Sequence, residues 1–255
     1  MTTPATSGVR RLSYAGFAAV VLVYLVIIQG GGLLLQKLTD VDSTTTTRGV
    51  VVGMIIPLGV ALVFVIGVVT YLGWWRPVLR DDRRVSRWVW VIPVAFVVAI
   101  LIAIDYGALA DTTTGFVLTL LIATQLVGWG EELMFRGLGV TVLREHGLGE
   151  GRVALWSSVI FGAVHLTNAI GHGLTAIPQA LVVSVAGYFF YLIRRVSGTN
   201  VLNSVLHGLF DFALLSGTAI LVDQAGYPGS FAAIVLYVVL AVVLVVRRRR
   251  IEPAT

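Results

Sequence analysis

The residues of this chain that could do chemistry lie inside apolar runs, where charged side chains are uncommon. Glu131, Glu132 and Arg136 interrupt a largely apolar stretch that extends from Phe116 to Leu143. A charged side chain at the centre of a membrane helix costs about 2.5–3.5 kcal/mol on insertion scales. Three charges within six residues therefore indicate a specific pairing, a reactive site, or both.

The spacing of these charges predicts different roles for the two glutamates. On an α-helix Glu132 and Arg136 are i, i+4 neighbours, so we expect them to form a structural ion pair. Glu131 points about 100° away from Glu132 and has no such partner on its own helix. An unpaired carboxylate in a low-dielectric setting is a candidate general base.

Two further polar groups occur in later apolar runs, as Phe161-x-x-x-His165 and His207-x-x-x-Asp211. The i, i+4 spacing puts His207 and Asp211 on one helix face, and Asn203 extends that face by one turn. A lone membrane histidine commonly forms hydrogen bonds between helices. Several ionisable groups, however, must face the bundle interior or a water-filled cavity, so a polar cavity shared by three helices would collect them.

In this order along the chain, Glu-Glu-x-x-x-Arg, Phe-x-x-x-His and His-x-x-x-Asp resemble the motifs of the CPBP intramembrane protease family, also called Abi or the CAAX-processing and bacteriocin-processing family. The resemblance covers about residues 115–216, and it departs from the usual pattern at Asp211, where many members have Asn. It implies hydrolysis of a peptide bond within or at the membrane. Eukaryotic relatives remove the last three residues of prenylated CAAX proteins, whereas other members are bacteriocin-maturation and immunity proteins.

The resemblance and the residue types together suggest hydrolysis by an activated water. Glu131 would take the proton of the water, and His165 would help to hold that water. His207 and Asp211 would polarise the scissile carbonyl and stabilise the oxyanion, although Asp211 would have to be protonated to donate, or else act by orienting His207. Four motif residues are expected to support the site structurally: Glu132, Arg136, Phe161 and Asn203.

The sequence leaves the role of a metal ion open. The chain has no cysteine, which excludes thiol nucleophiles and thiolate metal ligands. Glu131, His165 and His207 could together hold a zinc ion, but they come from three separate helices and the chain has no His-Glu-x-x-His motif. Catalysis without a cofactor is favoured, and a divalent metal such as zinc is the alternative.

The composition predicts an all-α, polytopic transmembrane helix bundle. The chain is 57% hydrophobic and 12% charged, with a mean hydropathy of +0.93. We expect residues 1–255 to form one integral membrane domain, with the catalytic core at 115–216. Eight spans are predicted, at about 12–35, 50–75, 88–105, 115–135, 153–171, 174–193, 200–222 and 229–246.

The distribution of basic residues predicts the orientation of these spans. With a cytoplasmic N-terminus, 16 of the 18 basic residues lie in the cytoplasm and only Lys37 and Arg48 lie outside. Both termini are then cytoplasmic, in what we expect to be a prokaryotic plasma membrane. Counting 1.5 Å per residue from the helix ends puts His207 about 10 Å deep, and Glu131 about 18 Å deep if its helix continues to Leu143. The site would thus face the cytoplasmic half of the bilayer.

An intramembrane endopeptidase is the favoured function, with a membrane-associated protein or peptide as its substrate. The lipid bilayer is the other expected partner, and nucleic acid is not, because the basic excess follows topology. One alternative is a catalytically silent scaffold or bacteriocin-immunity module. A proton-coupled transporter is a weaker alternative, since no convincing repeat relates the two halves. The sequence identifies neither the substrate and its cleavage site nor the oligomeric state.

Overall fold

The protein is described by a computed structural model that covers residues 10–41, 45–168, 173–216 and 227–252. These residues form a helix bundle that contains no β-strand, and an isolated bridge pairs Arg80 with Thr199. The predicted all-α class is therefore confirmed. The ends of the predicted spans 153–171 and 200–222 fall partly outside the described residues.

Eight principal helices follow one another along the described part of the chain: α1 (Tyr14–Thr39), α2 (Thr47–Leu72), α3 (Arg87–Ala103), α4 (Thr114–Glu145), α5 (Glu150–Val164), α6 (Ala176–Ser197), α7 (Asn200–Ser216) and α8 (Pro228–Arg250). Short helices at Trp75–Leu79 and Tyr106–Ala110 precede α3 and α4, and 3₁₀ turns at His165–Asn168 and Gly173–Thr175 lie between α5 and α6.

Five of these helices, α1, α2, α4, α6 and α8, are long and apolar enough to cross a membrane. They are the helices of an integral membrane protein. The other three, α3, α5 and α7, are shorter, and each overlaps one of the remaining predicted spans. The count of eight crossings and the cytoplasmic location of both termini stay predictions.

Helix α4 extends well beyond the predicted span 115–135. It is α-helical over Thr114–Glu131, π-helical over Glu132–Gly139 and α-helical again over Val140–Glu145. Arg136, which the sequence analysis counted among the cytoplasmic arginines, is fully buried in the middle of this helix. Arg136 pairs inside the bundle and is not a loop residue, so the predicted cytoplasmic set falls from 16 to 15 of the 18 basic residues.

Helices α4 and α7 approach each other closely because glycines face each other between them. A Cβ atom added at Gly128 would lie 2.4 Å from the carbonyl oxygen of Ser204 and 2.5 Å from the backbone nitrogen of Gly208. Small residues of this kind let helix backbones touch in membranes. The contact brings Glu131, one turn after Gly128, towards His207, the residue before Gly208.

Helices α5 and α6 form a second close pair that borders the site. A Cβ atom at Gly162 would lie 2.5 Å from the carbonyl oxygen of Ala180. On α6, a Cβ atom at Gly187 would lie 2.9 Å from the Nη2 atom of Arg136. The absence of a side chain at Gly187 thus leaves the space that the buried guanidinium occupies.

A charged cluster joins the ends of α4, α5 and α6 to the loop before α3 and to the end of the chain after α8. It consists of Asp81, Arg144, Glu150, Arg194, Arg195 and Glu252. Arg144 lies 3.0 Å from Asp81 and 2.8 Å from Glu150, and Arg194 lies 3.1 Å from Asp81. These pairs connect the ends of three helices to one another.

Candidate active site

Glu131 lines a cavity that has a volume of about 710 Å³. The side chain is 16% exposed, and its Oε2 atom has no hydrogen-bond partner among the described residues. The π-helical segment begins at the next residue. Such π turns inside α-helices occur frequently at functional sites.

Glu132 has opposite surroundings, because its side chain is fully buried and does not line the cavity. Its Oε1 atom accepts hydrogen bonds from Arg136, at 3.1 Å, and from the Nδ1 atom of His207, at 2.9 Å. Its Oε2 atom accepts a hydrogen bond from Asn203, and its backbone carbonyl accepts one from Asn200 at 2.8 Å. The expected pair with Arg136 is present, and it belongs to a larger network that ties α4 to α7.

His207 is held between this network and the cavity. A carboxylate only accepts hydrogen bonds, so the contact with Glu132 requires a proton on Nδ1 and fixes the orientation of the ring. The Nε2 atom then points to the cavity, 3.7 Å from the Oε2 atom of Glu131 and 3.6 Å from the Oδ2 atom of Asp211. Phe190 stacks on the imidazole with ring centroids 4.3 Å apart.

Phe161 connects the two histidines with the buried arginine. Its ring lies under the guanidinium of Arg136 at 3.8 Å and meets the rings of His165 and His207 edge-on, at centroid distances of 4.9 Å and 5.9 Å. Its carbonyl oxygen accepts a hydrogen bond from the Nδ1 atom of His165 at 2.7 Å. A neutral His165 therefore has its lone pair on Nε2, and this side chain lines the same cavity as His207.

The cavity collects the four residues that the sequence analysis assigned to catalysis: Glu131, His165, His207 and Asp211. Most of its remaining wall is apolar, with side chains from α1, α2, α6 and α8 as well as from the helices of the three motifs. A polar region also lies on this wall, where Gln29 donates to Asn168 at 2.9 Å and Asn168 donates to Gln179 at 3.1 Å. The cavity is thus apolar with two polar regions.

The distance of Glu131 from the end of α4 follows from the length of the helix. Glu131 lies 14 residues before the end of the helix at Glu145, which corresponds to about 21 Å at 1.5 Å per residue. The sequence-based depth of His207 was counted from Asn200 as a surface position. Asn200 is instead fully buried against the backbone of Glu132, so that count does not give a depth below the membrane surface.

The alternative zinc ligands, Glu131, His165 and His207, all line one cavity, and a metal ion bound by them stays an alternative. Within the described residues, no group of three His, Cys, Asp or Glu side chains is arranged to hold a metal ion. A zinc site needs three such ligands at about 2.0–2.2 Å from one point. The set of Glu131, His165 and His207 lines one cavity without converging in this way.

Three residues of the site have no counterpart in the sequence-based assignment. Asn200 lies three residues before Asn203, on the same helix face, and this spacing could have revealed it. The sequence did not mark Phe190 and Tyr24 as site residues, because aromatic residues are common in apolar helices. Tyr24 is 2% exposed, lines the cavity from α1 and packs edge-on against Phe135.

Residues 113–213 match the model of one protein family, described as Rce1-like, type II CAAX prenyl endopeptidase. No curated protein and no solved structure matches the chain. The matched segment begins at the N-cap residue of α4 and ends within α7, so it contains all three motifs. The resemblance inferred from these motifs is thereby confirmed.

Proposed function

We propose that this chain is an intramembrane endopeptidase that uses a water molecule activated by Glu131, since residues 113–213 match the model of the Rce1-like type II CAAX prenyl endopeptidases. The family supports an intramembrane protease that acts on membrane-associated proteins. The observation that supports the finer proposal is the contrast between two neighbouring carboxylates. Glu131 lines the cavity and has an oxygen atom with no hydrogen bond to any described residue, whereas the buried carboxylate of Glu132 accepts hydrogen bonds from Arg136 and His207.

In the proposed reaction, Glu131 accepts a proton from water while the water oxygen forms a bond to the scissile carbonyl carbon. The π electrons of the carbonyl move to its oxygen and give a tetrahedral oxyanion. When this intermediate collapses, the C–N bond breaks and Glu131 returns its proton to the leaving amine. The products are a carboxylic acid and an amine, and the enzyme regains its starting state.

The two histidines act on opposite sides of this step in the proposal. His165 accepts a hydrogen bond from the water at its free Nε2 atom. His207, when protonated, donates from Nε2 to the oxyanion, and its ring is held for this by Glu132 and Phe190. Asp211, whose Oδ2 atom lies 3.6 Å from the Nε2 atom of His207, orients that ring, or donates to the oxyanion when it is protonated.

The proposal also covers the setting of the reaction. The site lies in the cytoplasmic half of a prokaryotic plasma membrane, and the substrate reaches it from the cytoplasm or laterally from lipid. The apolar wall of the cavity suits a substrate segment that is itself membrane-associated. A divalent metal remains the alternative for water activation.

The test is cleavage of a library of membrane peptides, with and without C-terminal prenylation, by the full-length protein purified in detergent. We expect cleavage by the wild type and its loss in Glu131→Gln, which removes the base and keeps the size. Glu145→Gln, an exposed position on the same helix, is the matched control and should cleave at the wild-type rate. Full activity of Glu131→Gln would contradict water activation by this residue.

Two further arms separate the alternatives. A strong chelator should leave the rate unchanged, and a rate that is lost to the chelator and restored by zinc would contradict the metal-free mechanism. Specific binding of a peptide without cleavage, equal in wild type and Glu131→Gln, would support a silent scaffold instead.

A further inference from the structure

The hydroxyl group of Tyr24 is a buried donor that no described residue uses. The side chain comes from α1, outside the segment that matches the family, and lines the cavity with Glu131. The residue is 2% exposed, and its Oη atom has no hydrogen-bond partner among the described residues. A buried hydroxyl without a partner is uncommon in folded proteins, and such a group calls for a specific explanation.

The position of this hydroxyl is set by the residue that precedes the candidate base. A Cβ atom added at Gly130 would lie 2.9 Å from the Oη atom of Tyr24, whereas the two nearest ring carbons would be 3.8 Å away. Glycine at position 130 therefore makes room for the hydroxyl in particular, since the ring alone would tolerate a side chain there. The hydroxyl lies against α4 beside the residue that carries the base.

The site otherwise offers few donors for an oxyanion. Glu131, Glu132 and Asp211 are acceptors when ionised, and Arg136 is buried behind Phe161. Next to Glu131 and Asp211, a protonated His207 supplies a donor at Nε2.

We propose that Tyr24 is a catalytic residue whose hydroxyl donates a hydrogen bond to the oxyanion of the tetrahedral intermediate. This inference rests on the proposed peptidase function and deepens it. The hydroxyl neither gives up nor gains a proton overall, because it donates a hydrogen bond while the oxyanion forms and releases it when the C–N bond breaks. Its action is confined to the transition state, so it contributes to kcat and not to substrate binding.

The test compares Tyr24→Phe with the wild type on a cleaved peptide from the library. Loss of one oxyanion donor lowers kcat by about 10²–10³-fold, so we expect a fall of about 100-fold with an unchanged KM. The melting temperature should stay the same or rise, because an unpartnered buried hydroxyl is removed. Tyr14→Phe, the same change at an exposed position of α1, is the control and should leave kcat and KM unchanged.

A double-mutant cycle with Gly130 separates a positioned hydroxyl from a general effect on packing. Gly130→Ala alone should displace the hydroxyl and lower kcat, whereas Gly130→Ala added to Tyr24→Phe should cause no further loss. Gly115→Ala on the same helix, where an added Cβ meets nothing within 4 Å, controls for the effect of alanine itself.

The possible results distinguish this proposal from the function on which it rests. A kcat of Tyr24→Phe within about twofold of the wild type, together with an inactive Glu131→Gln, would overturn the role of Tyr24 alone. A higher KM with unchanged kcat would also overturn it, since the hydroxyl would then bind the ground state. Full activity of Glu131→Gln in the same assay would overturn the proposed function.

Discussion

Two adjacent glutamates on one helix have opposite surroundings, and this difference carries most of the functional argument at the scale of single residues. The 100° rotation between neighbouring helical positions turns Glu131 to the cavity and Glu132 into the bundle. Burial of Glu132 is tolerable because Arg136, His207 and Asn203 all donate to its carboxylate. The buried carboxylate therefore orients the site, and the cavity-facing one remains available for proton transfer.

Substitution of Arg136 should lower the stability of the folded protein. Arg136→Ala leaves the carboxylate of Glu132 buried without its cation, and breaking such a pair typically costs about 3–5 kcal/mol. Arg136→Lys should be only partly tolerated, because the stack of the guanidinium on Phe161 is lost. Thermal unfolding in detergent measures both effects, with Arg152→Ala at an exposed position as the control. An Arg136→Ala protein that melts at the wild-type temperature would rule out a structural role for the pair.

At the scale of helices, the close contact of α4 with α7 sets the distance between the base and His207. Gly128→Ala would force a Cβ atom against the backbone of α7, and overpacking of this kind costs roughly 1–3 kcal/mol. We expect lower stability and a loss of activity, because the helices must separate. Gly115→Ala on the same helix should be neutral or slightly stabilising. Equal melting temperatures and equal rates for the two variants would argue against this contact as the spacer.

The charged cluster should make the stability of the helix ends depend on pH. Burial raises the pKa of Glu150, which precedes the predicted span 153–171, but hydrogen bonds from Arg144 and Tyr191 outweigh it and lower the pKa to about 2. A carboxyl group whose pKa is lower in the folded state stabilises the fold above its unfolded value, about 4.5. That contribution is lost as the pH falls from about 4.5 to about 2.

The corresponding measurement is the melting temperature of the wild type and of Glu150→Gln as a function of pH. The wild type should melt higher by a constant amount above about pH 5, and the difference should shrink as the pH falls towards 2. Glu145→Gln, at an exposed position of α4, should show no such difference. A gap between wild type and Glu150→Gln that is independent of pH would show that the ion pairs do not stabilise the helix ends.

At the scale of the whole molecule, the predicted orientation can be tested at the two ends of one helix. The chain has no cysteine, so single cysteines report without background. Asp111→Cys, just before α4, should react with a membrane-impermeant thiol reagent only from outside, and Glu145→Cys only from the cytoplasm. Both positions are exposed in the structure. Labelling of Asp111→Cys from the cytoplasm alone would invert the predicted topology.

The motif residues could be identified from the sequence, whereas the residues that form the rest of the cavity wall could not. The Glu132–Arg136 pair and the shared face of Asn203 and His207 follow from helical spacing, which is a local property. Composition alone did not determine that α4 extends to Glu145, because charged residues usually mark the end of a membrane helix. Here Glu132 and Arg136 pair with each other inside the bundle, so the helix continues past them. Tyr24 was missed because its position depends on contacts between α1 and α4, which no local pattern encodes.

The cavity is lined by residues from inside the family-matched segment and by residues from outside it, so its substrate specificity could be changed separately from its reactive groups. Glu131, His165, His207 and Asp211 all lie within residues 113–213, whereas α1, α2 and α8 contribute wall residues from outside that segment. Chimeras that exchange those outer helices between relatives should alter which peptide fits while retaining the groups that transfer protons. Such an exchange should preserve the rate only where the incoming first helix also supplies a hydroxyl opposite Gly130.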